Sequence, residues 1–188
     1  MTKRTPHPEI TVFPPTRLLL STDLTTTRSC LGQQCRDVGH MYASGIDFSQ
    51  TSPQNVLQSL APGIDLTSTN STAVIILSTI TKISQTDCTA AKINVCANKD
   101  QAVITRRIVI PSSSSQTSAF GSPGASTYQD LTSGLIKPSA YMGDTSTQAK
   151  DFLLLLPSLD YDHYAYVAEM YVQSPFLGKP TVAGLSIF

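Results

Sequence analysis

Between Pro157 and Pro175 the chain alternates. Tyr164, Tyr166, Ala168, Met170 and Val172 fall on one side of an extended backbone, and Ala165, Val167, Glu169 and Tyr171 on the other. Period two over this length predicts a strand at His163–Gln173 with one face on a core. Two earlier runs are able to pair with it. Thr72–Ile83 is continuously apolar from Ala73 to Leu77, as in a central strand, then alternates from Ser78 as if one face met solvent. Gln101–Ile110 sets Ala102, Ile104, Arg106, Ile108 and Ile110 on one face. A short segment holding Cys88 and Cys96 joins these two runs, which reads as an antiparallel hairpin.

Helical spacing appears at 32–43, where Leu31, Cys35, Val38 and Tyr42 follow an i, i+4, i+7, i+11 pattern. Gly39 interrupts this stretch and Gly45 stands where a helix would stop. Ser52-Pro53 is a helix start, with Val56, Leu57 and Leu60 facing inward and Pro62-Gly63 ending it. Thr147–Leu156 predicts a third helix, capped by Thr147 and stopped by Pro157, with Ala149, Phe152, Leu153 and Leu156 on one face. Thr181–Phe188 ends in apolar residues and predicts a short docked strand. The fold class that follows is α+β: an antiparallel sheet of three or more strands packed against short helices.

Two stretches lack this periodicity. Residues 1–29 hold Pro6, Pro8, Pro14 and Pro15 and a Thr-rich run at Thr22–Thr27, which predicts an extended Pro/Thr-rich arm ahead of a single domain at 30–188. Within that arm Ile10, Val12 and Phe13 could add to the sheet edge of a neighbouring subunit. Residues 111–145 are rich in Ser, Gly, Pro and Thr and read as a long surface excursion, with a short strand at Leu131–Ile136.

At 188 residues the chain is long enough for one domain with a substantial core. Charged residues are only 14% and the net charge is zero, which argues against nucleic acid as a partner. Ser and Thr supply much of the polar surface, a composition common in secreted and cell-surface proteins. The longest aliphatic runs, Val74–Leu77 and Leu153–Leu156, fall far short of the ~20 residues of a membrane span. Four cysteines form two close pairs, Cys30/Cys35 and Cys88/Cys96, and allow three connectivities. Local pairing is simplest for Cys88–Cys96. A Cys30–Cys35 ring needs Cα atoms within about 7 Å. Neither pair has the C-x-x-C spacing of a zinc site, and His40 is the only nearby histidine.

Motifs for catalysis are missing: there is no G-x-S-x-G elbow, P-loop, G-x-G-x-x-G or H-E-x-x-H. Asp160, Asp162 and His163 could hold a cation, but a solvated turn is the commoner explanation of such a cluster. Asp37 and His40, one turn apart, read as helix surface. Glu169 could serve as a general base, or pair across the sheet with Arg106 or Arg107. Tyr161, Tyr164, Tyr166 and Tyr171 make an aromatic strip suited to core packing, subunit contact or sugar binding. Asn70-Ser71-Thr72 matches the glycosylation sequon.

Several stretches, taken in order, resemble the exported domain of TadE-type minor pilins of the tight-adherence system. They are Cys35-Arg36-Asp37-Val38 through Gly45-Ile46-Asp47-Phe48, Val74-Ile75-Ile76-Leu77-Ser78-Thr79-Ile80-Thr81, Cys88 and Cys96, Ile104-Thr105-Arg106-Arg107-Ile108-Val109-Ile110, and Tyr164-Ala165-Tyr166-Val167-Ala168-Glu169-Met170-Tyr171. The resemblance spans roughly residues 30–177. It implies a pilin-like fold and a non-catalytic structural subunit of a pilus or filament. No cofactor or metal is expected. The implied partners are further copies or other pilus subunits, at the cell surface, outside the cell or in the periplasm. The family's hydrophobic N-terminal helix has no counterpart in this sequence, so membrane contact is expected only through a missing anchor. The expected subunit contacts are Ile10, Val12, Phe13, Tyr164 and Tyr166. The alternative is a secreted adhesin or glycan-binding module using the 111–145 loop and the tyrosines.

Overall fold

The computed structural model describes residues 32–60, 64–66, 71–123, 129–173 and 180–188. The expected arm with Ile10, Val12 and Phe13, the sequon residue Asn70, Leu31 and Cys30 lie outside them. The elements in order are helix α1 (32–43), α2 (Thr51–Leu60), strand β1 (Ala73–Lys82), α3 (Gln85–Ala90), β2 (Ala102–Ile110), α4 (Pro138–Gly143), α5 (Phe152–Leu155), β3 (Tyr164–Gln173) and β4 (Pro180–Ile187). The four strands form one antiparallel sheet in the order β2-β1-β3-β4. The fold is α+β.

β1 is one of the two inner strands, paired with β2 and β3 along its edges, and both its faces are covered. Ala73 to Thr81 are all buried, including the half expected to meet solvent. Two of the three buried hydroxyls there are matched, and Ser78 Oγ has no partner among the described residues. Thr79 Oγ1 lies 2.7 Å from Tyr42 Oη, and Thr81 Oγ1 donates to the His163 carbonyl at 2.7 Å. Polar residues on a strand therefore need not mark a wet face when partners reach them.

A β-bulge alters the faces of β2. Thr79 pairs with Arg106 but Ile80 pairs with Ile104, so Thr105 has no opposite residue on β1. One extra residue reverses the alternation. Ala102 and Ile104 consequently join one core layer while Ile108 and Ile110 join the other. The single face expected from Ala102 to Ile110 is thus two half-faces.

α1 and α2 cover the first face. Cys35, Val38 and Tyr42 of α1 pack with Ile75, Leu77 and Met170, as the spacing predicts. Gly39 has a specific use. A Cβ there would occupy the place of the Phe188 ring, and the Phe188 backbone exchanges two 2.9 Å hydrogen bonds with Tyr166. The C-terminal strand docks as expected and its last side chain fills the notch. α2 begins near the expected Ser-Pro signal, but it buries Leu57 and leaves Val56 46% exposed. Gln58 ties the helix to the following chain, donating to the Ile64 carbonyl at 2.5 Å and accepting from Leu66 N–H at 2.8 Å.

The second face is covered by irregular chain. Segment 111–120 crosses it, and Phe120 meets Phe152 edge-on at 5.2 Å. The predicted helix over Thr147–Leu156 does not form. A 3-10 turn at Thr145–Thr147 gives way to extended Gln148, which bridges Val103, and Ala149 N–H donates to the Ala102 carbonyl at 2.9 Å. Asp151 is left-handed at φ 57°, and only the turn α5 follows. Pairing to the bulged edge of β2 overrides local helix preference here. Leu131–Ile136 forms isolated bridges to Arg106 and Gln129 around a tight turn, where Gly134 takes a φ of +74° with its position against the Arg107 carbonyl.

Ser84 and Asp87 make a reciprocal cap at the start of α3. The disulfide Cys88–Cys96 closes the chain just beyond it, with Cα atoms 5.8 Å apart. Cys35 is a free, buried thiol that donates to the Ala168 carbonyl at 3.2 Å. Burial pushes its pKa up to about 11. Asn98, fully buried, donates to the carbonyls of Tyr141 and Asp144 at 2.9 and 2.8 Å and fixes α4 over the cystine segment.

Candidate functional site

α1 and α2 leave one end of the first sheet face bare. Tyr164 and Tyr166 stand there beside Thr79 and Arg106, at the level where Tyr42 closes the core. Tyr166 is half-buried and meets Tyr42 at 5.6 Å in a T-shape. Tyr164 is 57% exposed. α4 brings Pro138 and Tyr141 to the same place. The Lys137-Pro138 start, with Pro in the first turn, is the sequence signal that could have revealed this helix inside the 111–145 stretch.

The result is two hollows sharing one wall. A hollow of about 640 Å³ lies toward Arg106 and Leu135, and one of about 340 Å³ lies toward Lys82, Ile83 and Asp87. Pro138, Tyr141 and Tyr164 line both. Burial, reinforced by Tyr164 and Asp87, raises the Tyr141 pKa, so its phenol stays protonated and able to donate at neutral pH. Among the described residues no hydrogen bond engages the hydroxyls of Tyr141, Tyr164 or Tyr166. The surface offers flat rings, phenolic donors and the cation of Lys137. Chemically it can hold a ligand with apolar faces and exposed carbonyls.

No family model matches the chain, and no curated protein or solved structure matches it either.

The other residues singled out from sequence go elsewhere. Glu169 is fully buried on the second face. Its Oε1 accepts from Ala119 N–H and Tyr171 Oη, each at 2.8 Å. Arg107, on the same face, donates to the Gln116 carbonyl at 2.8 Å, so Glu169 and Arg107 together hold segment 111–120 down. Glu169 Oε2, Arg107 Nε and Ser78 Oγ are buried without partners among the described residues. Burial lowers the Arg107 pKa, partly offset by Glu169 and Tyr171. Burial, Glu169 and the hydrogen bond to it raise that of Tyr171. Arg106 pairs with Asp47 across the bare end of the first face, not with Glu169. Burial pushes the Asp47 carboxyl up, but hydrogen bonds from Ser49 and Arg106 outweigh it and hold the pKa below the ordinary value.

Asp160, Asp162 and His163 are exposed in a turn, with Asp162 left-handed at φ 62° and His163 Nδ1 3.1 Å from the Tyr161 carbonyl. Tyr161 leaves the strip: its hydroxyl donates to Asp100 at 2.6 Å, and Lys82 Nζ lies 4.7 Å over its ring. Asp37 accepts from Gln33 at 2.8 Å, and His40 stacks against Phe188 at 4.2 Å. Among the described residues no three metal-ligating side chains converge, and no helix is long and apolar enough to cross a membrane.

Proposed function

We propose that the chain is a non-catalytic structural subunit of a cell-surface pilus or filament, with a pilin-like fold in which one sheet face packs on helices. The observation that carries this reading is the tyrosine face left bare beyond α1. Exposed aromatic surface with protonated phenols is a recurrent anchor for protein partners. The Cys88–Cys96 disulfide adds support, since such bonds persist in oxidising compartments. The test is to shear native cells, sediment filaments and locate the chain by antibody and N-terminal sequencing, with intact mass before and after reduction. The chain is expected with the filaments, carrying an intact Cys88–Cys96 bond. A reduced chain found wholly in the cytosol overturns the reading.

A secreted glycan-binding module is the second reading, favoured by a third hollow of about 570 Å³ beside residues 112–114 and 129–134. Ser49, Gln54, Arg107, Ser112, Gln129 and Thr132 are among its lining residues, and hydroxyls, amides and a guanidinium suit a polyhydroxylated ligand. Glycan-array binding by a monomer, lost on Gln129→Ala, would place this reading first. An array without signal removes it.

A further inference from the structure

We propose that the tyrosine wall between the two hollows docks the proline-rich segment Pro6–Pro15 of a second copy of this chain. The proposal rests on the assembly reading above and names the contact that would build it.

The chemistry of the surface selects the occupant. Polyproline II segments carry no internal hydrogen bonds. They present ring faces and unpaired carbonyls, and aromatic-lined grooves recognise them at little entropic cost. Tyr164, Tyr141 and Pro138 form a ridge with a hollow on either side, and the phenols can donate to backbone carbonyls. The sequence offers a proline-bearing candidate, Pro6-His7-Pro8-Glu9-Ile10-Thr11-Val12-Phe13-Pro14-Pro15, with two prolines at either end. Glu9 supplies the charge that complements Lys137 on the rim.

Reach allows a neighbour as well as the chain's own groove, and the surface along the way favours the neighbour. Sixteen residues separate Pro15 from Gly32. Fully extended they span about 53 Å, against a radius of gyration of about 16 Å for a domain of this size. The arm therefore can leave its own subunit. α1 runs from residue 32 to the groove end, where Tyr42 touches Tyr166 and Thr79. The direct way back to its own groove runs along the outside of α1, a length of about 15 Å. That track is polar, with Gln33, Arg36, Asp37 and His40 all exposed. Nothing apolar there guides Pro14-Pro15 home.

The experiment uses full chains throughout and reads mass by sedimentation equilibrium. The wild type is expected to self-associate. Tyr164→Ser, at an exposed position, and a chain with Pro6, Pro8, Pro14 and Pro15 all changed to Ala should each weaken association at least tenfold. An equimolar mixture of these two chains should regain dimers, because each pair keeps one intact wall and one intact arm. Lys137→Glu should weaken association, and adding Glu9→Lys should restore it. A wild type that stays monomeric, or association indifferent to the proline changes, overturns the proposal. Surface filaments that form despite those changes would leave the assembly reading standing and remove this contact. A wall-dependent dimer found only in the cytosol would do the reverse.

Discussion

Opening the Cys88–Cys96 bond should cost the fold a defined amount. The two cysteines are eight positions apart, and closing a ring of that size in the unfolded chain corresponds to about 2.5 kcal/mol. The folded side changes little on reduction. α3 is already held by the Ser84–Asp87 cap, and Cys88 stays packed with Ile83, Val103 and Met142. The assay is urea unfolding of the full chain with and without a phosphine reductant. With a slope of about 2 kcal/mol/M the midpoint should fall by about 1 M, and the melting temperature by roughly 5–10 °C. Paired Cys88→Ala and Cys96→Ala changes should reproduce this with up to about 1 kcal/mol more for the buried sulfur lost. A midpoint that moves by less than a third of the expected shift would refute the ring-entropy reasoning. It would mean that the segment 84–98 is equally restricted without the bond.

Glu169→Ala strands the Ala119 amide and the Tyr171 hydroxyl, and should cost about 3–5 kcal/mol. Glu169→Gln keeps an acceptor and should lose less than half of that; equal losses in urea titrations would count against the clamp. Gly39→Ala should destabilise by about 1–3 kcal/mol despite its better helix propensity, since Phe188 must leave its notch. In the Gly39→Ala/Phe188→Ala chain the two costs should not add, and additivity in that cycle would show the notch is irrelevant. The Cys35 thiol has a folded pKa of about 11 against an ordinary 9.0. Its neutral form is the one the fold favours, so this contribution is complete below pH 9 and fades as pH rises toward 11. Cys35→Ser should flatten that alkaline decline in stability, and peptide-mapped alkylation of folded protein at pH 8 should leave Cys35 unlabelled.

The sequence made the sheet legible wherever side-chain period and local pairing agreed. The i, i+3, i+7 spacing of Cys35, Val38 and Tyr42 located α1, and the alternation around Glu169 located β3. It concealed what tertiary contact decides. A bulge at Thr105 leaves no mark in composition, yet it moves Arg106 to the opposite face from Ile104. Ala149, Phe152, Leu153 and Leu156 fit a helix, but the hydrogen-bonding edge of β2 claims Gln148 and Ala149 first. Of the candidate site, Tyr164 and Tyr166 were readable from alternation. Tyr141 and Pro138, which complete the wall, sit in a stretch whose polar composition hid a six-residue helix.

The central placement of β1 sets the order in which this protein must fold. Its partner on one side, β2, follows after a connection that holds the capped helix α3 and the Cys88–Cys96 bond. Its partner on the other side is remote: Thr81 meets His163 across 82 residues of chain. Closing that contact carries the larger entropic cost and belongs to the slow part of folding. During synthesis the hairpin of β1 and β2 therefore emerges with an unpaired edge along Val74-Ile75-Ile76-Leu77, an apolar template for wrong pairing until β3 arrives. Safe production of this chain depends on how quickly residues 164–173 follow, or on a partner that shields that edge meanwhile.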